Sequence, residues 1–175
     1  TLNLSTYSLG PDFNRFSQNG SSTSVSETMG VIAGAGIWRS TFKGEDELDP
    51  NYCLGFEAKE VDGKITAEVR LNPKAVFNDG TPIDIDALKA TWQIQRDPEG
   101  EYKIGAAGIY EFIESVEAID GDRYHARVVL KTAHNPVKGL LFGGILHPAM
   151  LDVTLFNEGF VDNPHPELGC GQIGR

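Results

Sequence analysis

The chain has 175 residues, with 15 basic and 25 acidic side chains for a formal net charge of −10, and it is 40% hydrophobic and 9% aromatic. A chain of that length builds a core without metal or disulfide staples, and its composition excludes a disordered tail or a collagen-like repeat. The acidic balance would repel a phosphate backbone, so a nucleic-acid reader is excluded as a leading reading. No stretch approaches the roughly 18 apolar residues of a spanning helix.

Residues 1 to 23 are rich in Ser, Asn, Thr and Gly and read as a polar arm, with a short strand at Leu2-Asn3-Leu4. Ser24-Val25-Ser26-Glu27 has the form of a capping box, and Val25, Met29, Ile32 and Ala33 follow at helical spacing. That pattern predicts a helix over about 26–35.

Two similar units come next. In the first, strands over 54–60 and 64–71 flank the turn Val61-Asp62-Gly63, and Ile65, Ala67, Val69 and Leu71 alternate toward one face. Asp84 then caps a helix through about Gln95, with Ile85, Leu88 and Trp92 on one side. In the second, strands over 115–120 and 124–131 flank Gly121-Asp122, with Tyr124, Ala126, Val128 and Leu130 alternating. Residues 137–146 read as a glycine-interrupted helix. Hairpins that each carry a packed helix make an α+β fold with an antiparallel sheet.

Catalytic patterns are absent from this reading. The glycines around Gly34-Ala35-Gly36 follow no strand and form no nucleotide loop. His125, His134, His147 and His165 are scattered singly, and His125 falls on the polar face of its strand. Asp84/Asp86 read as a helix N-terminus, and Glu45-Asp46-Glu47 as a solvated loop. The expectation is a non-enzyme with no cofactor and no metal. Cys53 and Cys170 leave two readings open, a pair of buried thiols or one disulfide; neither CxxC nor finger spacing points to zinc.

The most informative phrase is Leu71-Asn72-Pro73-Lys74-Ala75-Val76-Phe77-Asn78-Asp79-Gly80-Thr81-Pro82 leading to Trp92. By itself it is a strand, an Asp-Gly turn and a helix entry. Its ordered Leu71, Val76, Phe77, Asp79, Gly80, Thr81, Pro82 and Trp92 resemble the signature of the family 5 extracellular solute-binding proteins. Ile113 to Asp120, Val128 to Thr132 and the glycines Gly169-Cys170-Gly171 resemble further family segments. Asn72 to Ala75, Ala87 and Gln172-Ile173 depart from the pattern.

The resemblance implies the inserted subdomain of a two-lobed periplasmic-binding-protein type II fold. It divides the chain into an N-terminal arm (1–23), the insert (24–171) and a truncated tail (172–175), a fragment of the first lobe. It implies a component of a bacterial ABC importer that captures oligopeptides or similar solutes and works with a membrane permease. Such a protein is extracytoplasmic and lipid-anchored. Ligand-facing candidates are Tyr102 and Tyr110, from the loop after the Trp92 helix, and Asn14 and Phe16 from the arm. Cys53 and Cys170 fall near the boundary with the missing lobe, in a compartment that permits a bond. The alternative is a stand-alone protein-interaction domain with no small-molecule ligand.

Overall fold

A computed structural model describes residues 12–21, 34–132 and 137–161. Its centre is a four-stranded antiparallel sheet of β3 (Cys53–Val61), β4 (Lys64–Leu71), β5 (Ile113–Ile119) and β6 (Asp122–Leu130), in the order β3-β4-β6-β5. Ahead of it lies a small hairpin, β1 (Trp38–Ser40) and β2 (Asp46–Leu48). The helix α1 (Ile85–Gln95) joins the two large hairpins, and a short α2 (Val153–Glu158) follows them.

Both large hairpins close on Asp-Gly pairs, at Asp62-Gly63 and Asp120-Gly121, with φ of 51° and 74° in the first and 52° and 74° in the second. Two successive positive φ values give a turn whose twist matches the strands it joins. The second turn therefore sits one residue before the expected Gly121-Asp122, because Asp122 is already paired with Ile119.

The expected register holds at the sheet centre. Ala67 pairs with Val128 and Val69 with Ala126, and these four are buried with Leu71 and Leu130. Ile65 and Tyr124, nearer the sheet margins, are only half-buried. Arg70 and Arg127 are exposed as the period of two requires. Glu68 is half-buried instead, since it lies between His125 and Arg127 on the outer face.

Asp84 caps α1 by accepting from the Asp86 amide at 2.9 Å, and Ile85, Ala87 and Leu88 enter the main core. Trp92 is half-buried against that core. Further along, Ile94 belongs to a second apolar cluster with Ile104, Ala107, Leu146, Met150, Phe156 and Phe160. One helix therefore serves both cores.

Several expectations are corrected. Residues 137–146 are not a helix: Gly139 and Phe142 adopt φ of 80° and 54°, and the Ile37 and Ile145 amides bond the Phe142 and Ala35 carbonyls. The segment lies so close to Ala35-Gly36-Ile37 that a Cβ on Gly36 would stand 2.4 Å from the Gly143 carbonyl oxygen. Cross-chain pairing wins over a helix already weakened by three glycines. Glu45-Asp46-Glu47 is not a loop either. Asp46 and Glu47 belong to β2, held by Glu47 to Arg39 at 2.8 Å and by Asp46 to Ser40 at 2.9 Å. The strand near Leu2 and nearly all of the helix over 26–35 lie outside the described residues, as do His134, His165 and Cys170.

Candidate functional site

The arm is knitted to the second cluster through short self-made turns. Asp12 Oδ1 accepts from the Asn14 amide at 2.8 Å, and Asn14 Oδ1 accepts from the Phe16 amide at 3.1 Å. Such Asx turns arise because short carboxylate and amide side chains reach amides two residues on. The Ser17 hydroxyl donates to Asp12 Oδ2 and accepts from the Gly20 amide. Outward, Phe13 donates to the Phe160 carbonyl at 3.1 Å, Gln18 to that of Lys103 at 2.8 Å, and Gly105 to that of Phe16 at 3.2 Å.

Asn14 is fully buried, with Nδ2 donating to the Phe156 carbonyl at 2.9 Å. Phe16 is half-buried against the second cluster, under the Arg15 guanidinium at 4.6 Å from its ring centroid. Tyr102 stacks edge-on with Phe156 at 5.5 Å and donates its hydroxyl to the Leu151 carbonyl at 2.7 Å. The loop carrying it is tied by Asn157, whose Oδ1 accepts from Lys103 and whose Nδ2 donates to the Glu101 carbonyl. Tyr102, a ligand-facing candidate, is not fully exposed. It is half-buried, because its ring helps cover the cluster. It also lines an open hollow of about 270 Å³ with Gln93, Arg96, Asp97, Gly100 and Glu101.

Tyr110 lies within a 3-10 turn (Gly108–Phe112) and packs inward, 7% exposed, reaching the Gly144 carbonyl at 3.4 Å. Burial pushes its hydroxyl far above the ordinary tyrosine range, so it stays neutral. The structure thus brings Asn14, Phe16 and Tyr102 to one cluster. Tyr110 belongs to the main core.

The signature phrase folds as a compact latch. The Phe77 amide bonds the Thr81 carbonyl at 2.8 Å, the Ile83 amide that of Ala75 at 3.0 Å, and Asp79 accepts from the Thr81 amide and hydroxyl at 2.9 and 2.8 Å. His147 locks it from a distant segment. Its Nδ1 accepts from the Ala149 amide at 3.0 Å, so its Nε2 carries the proton and donates to Asp79 Oδ2 at 3.1 Å. His147 is a buried structural residue, a role its isolated position in sequence did not announce.

Two other expectations change. His125, expected to be solvated on the polar face of its strand, is half-buried there with Nε2 at 3.6 Å from Glu68 Oε2. Cys53 is a buried thiol whose Sγ lies 3.2 Å from the Gly55 carbonyl, and burial pushes that thiol up; its suggested partner falls outside the described residues. Among the described residues, no group of three or more His, Cys, Asp or Glu is placed to hold a metal. No described helix is long and apolar enough to cross a membrane.

Sequence reasoning missed the roles of two positioning residues, Arg123 and His147. Arg123 Nε donates to the buried Asp84 at 2.8 Å. The alternation Asp12-x-Asn14-x-Phe16 was a readable signal for the ordered arm, whereas the Asp84–Arg123 and Asp79–His147 pairs join segments too distant for any local pattern.

No protein-family model matches the chain. The oligopeptide-binding protein OppA of Mycobacterium tuberculosis is 28% identical over 174 residues, covering 96% of this chain. Among solved structures, the periplasmic EDTA-binding protein EppA superposes with a TM-score of 0.77 at 21% identity, over 92% of this chain and 30% of its own. The chain matches one segment of a family 5 extracellular solute-binding protein. NikZ from Campylobacter jejuni, solved with Ni(L-His), gives a TM-score of 0.68 at 18% identity over 87% of this chain and 29% of its own. This is the two-lobed type II binding-protein fold expected from the signature phrase, represented by part of it. The chain spans 28% of the length of the curated relatives it matches.

Proposed function

We propose that the chain is the first-lobe segment of the substrate-binding component of an ABC importer, capturing oligopeptides or similar small solutes. The observation that carries this reading is the match to an oligopeptide-binding protein along 96% of the chain. The division into an arm (1–23), an insert (24–171) and a tail (172–175) belongs to the proposal, as do an extracytoplasmic, lipid-anchored location and a membrane permease as partner.

In this reading the chain supplies one wall of a cleft that a second lobe closes, and enclosure of the solute provides much of the affinity. Tyr102, with one face on an open hollow, and Phe16 line that wall, while Asn14 and Tyr110 hold the arm and the Gly144 segment behind it. The ligands named for the similar structures, EDTA and a nickel–histidine complex, share carboxylates with any peptide C-terminus.

The test is to purify the intact protein under native conditions, denature it, and identify the released solute by mass spectrometry. Rebinding of that solute to stripped protein by calorimetry is the expected result. Release of nothing, together with no heat from peptides, EDTA or nickel–histidine, would overturn solute capture.

A further inference from the structure

Arg15 is the one cation of the described arm, and its environment is unusual for a charged group. The side chain is half-buried, and its Nε is shut off from solvent with no hydrogen-bond partner. Its guanidinium carbon sits over the Phe16 ring, 4.6 Å from the centroid. A Cβ on Gly144 would stand 2.8 Å from an Arg15 terminal nitrogen and 2.5 Å from a Phe16 ring carbon. Only a glycine at 144 lets this pair lie against the chain.

A ring beneath a guanidinium attracts its charge but accepts none of its directed hydrogen bonds well, so its N–H donors still call for acceptors. Among the described residues none pairs with Arg15. Asp12, the only acidic side chain of residues 12–21, is committed to the Asn14 amide and the Ser17 hydroxyl. Tyr110, whose hydroxyl reaches the Gly144 carbonyl, is kept neutral by its own burial and supplies no anion. Burial accordingly lowers the guanidinium below its ordinary range. A shielded cation without an anion is unfavourable, and the fork of a guanidinium matches a carboxylate bidentately.

We infer that Arg15, held over Phe16 and seated against Gly144, is a receptor for a carboxylate of the captured solute. The inference rests on the solute-capture reading. It adds a named anchor and the charge of the ligand group that meets it.

The experiment is calorimetry on the intact protein with trialanine, trialaninamide, EDTA and nickel–histidine, for the natural sequence and for Arg15→Gln and Arg15→Lys. The expected result is that Arg15→Gln weakens each carboxylate probe that binds by about tenfold or more and leaves trialaninamide unchanged. Arg15→Lys, which keeps the charge and loses the fork, should retain part of the affinity, and it decides the matter should Arg15→Gln fail to fold. Carboxylate probes bound equally well by the natural protein and by the variants would overturn the assignment while leaving solute capture intact. Failure of every probe to bind the natural protein would overturn both.

Discussion

The sheet with α1 and the cluster beneath the arm are built by different means. The sheet assembles from neighbours in sequence, two hairpins on two-residue Asp-Gly turns and a helix between them. The second cluster gathers residues from the arm, the end of α1, the 102–107 loop and α2, tied by side-chain clamps at Asn14 and Asn157. The first region is specified by local periodicity. The second is specified by long-range polar contacts, and in the proposed function it is the region that meets solute.

The sharpest way to break that contrast is to remove one large side chain from each core. Phe156→Ala should destabilise the chain by about 3–5 kcal/mol and Leu88→Ala by about 2–5 kcal/mol in urea unfolding. Both are fully buried. Because α1 places Leu88 in one core and Ile94 in the other, and Thr91 Oγ1 accepts from the Leu146 amide at 2.8 Å, a single transition is expected for each variant. Two resolved transitions would show that the regions fold independently.

A smaller effect should separate the regions. Asn14→Ala removes the clamp to the Phe156 carbonyl and the turn to Phe16, a loss of about 1–3 kcal/mol for a buried polar partner left unpaired. Hydrogen exchange should quicken at the Gln18 and Gly105 amides, which bridge the arm and the loop, and stay slow in β4 and β6. Uniform acceleration would mean that the arm is integral to the sheet.

What was readable in the sequence follows the same division. The alternation of Ala67, Val69 and Leu71 with their counterparts on β6 is a local signal, and so is the Asp84 cap, and the structure keeps both. Residues 137–146 misled because their helical spacing is also local, while their conformation is set by pairing with Ala35 and Ile37, about a hundred positions away. Of the candidate site, the arm and the Tyr102 loop were found through resemblance. The Asn14 clamp and the lack of a partner for Arg15 among the described residues were not legible, because both depend on which distant segments lie beside them.

Asp84 sharpens the comparison from the sheet side, because it combines a local cap with a distant partner. Asp84→Ala should cost about 0.5–2 kcal/mol through loss of the cap. Asp84→Asn keeps a capping oxygen and removes the charge facing Arg123, so it isolates the ion pair. Arg123 is more than half exposed, so thermal melts should place Asp84→Asn close to the natural protein. An Asp84→Asn loss as large as that of Asp84→Ala would assign the stabilisation to the pair instead.

The smallest effect concerns Asp79, where a local turn and a distant histidine again meet. Partial burial pushes its carboxyl up, but the Thr81 amide and hydroxyl and the His147 ring outweigh that push and hold it below the ordinary carboxylate range. A carboxylate whose folded pKa lies below its unfolded value binds fewer protons when folded, so it stabilises the fold above the unfolded pKa of about 3.9. That contribution fades as pH falls from there through the lower folded value, when Asp79 becomes protonated and the anionic acceptor of three hydrogen bonds is lost. Asp79→Asn should therefore flatten the acid limb of a stability–pH curve slightly and leave its neutral limb parallel to that of the natural protein. Asp79 is partly exposed, so solvent screening keeps the change small. Chemical denaturation repeated between pH 3 and pH 7 reads it directly, and an unchanged acid limb in Asp79→Asn would show that other carboxylates carry the acid sensitivity of the latch.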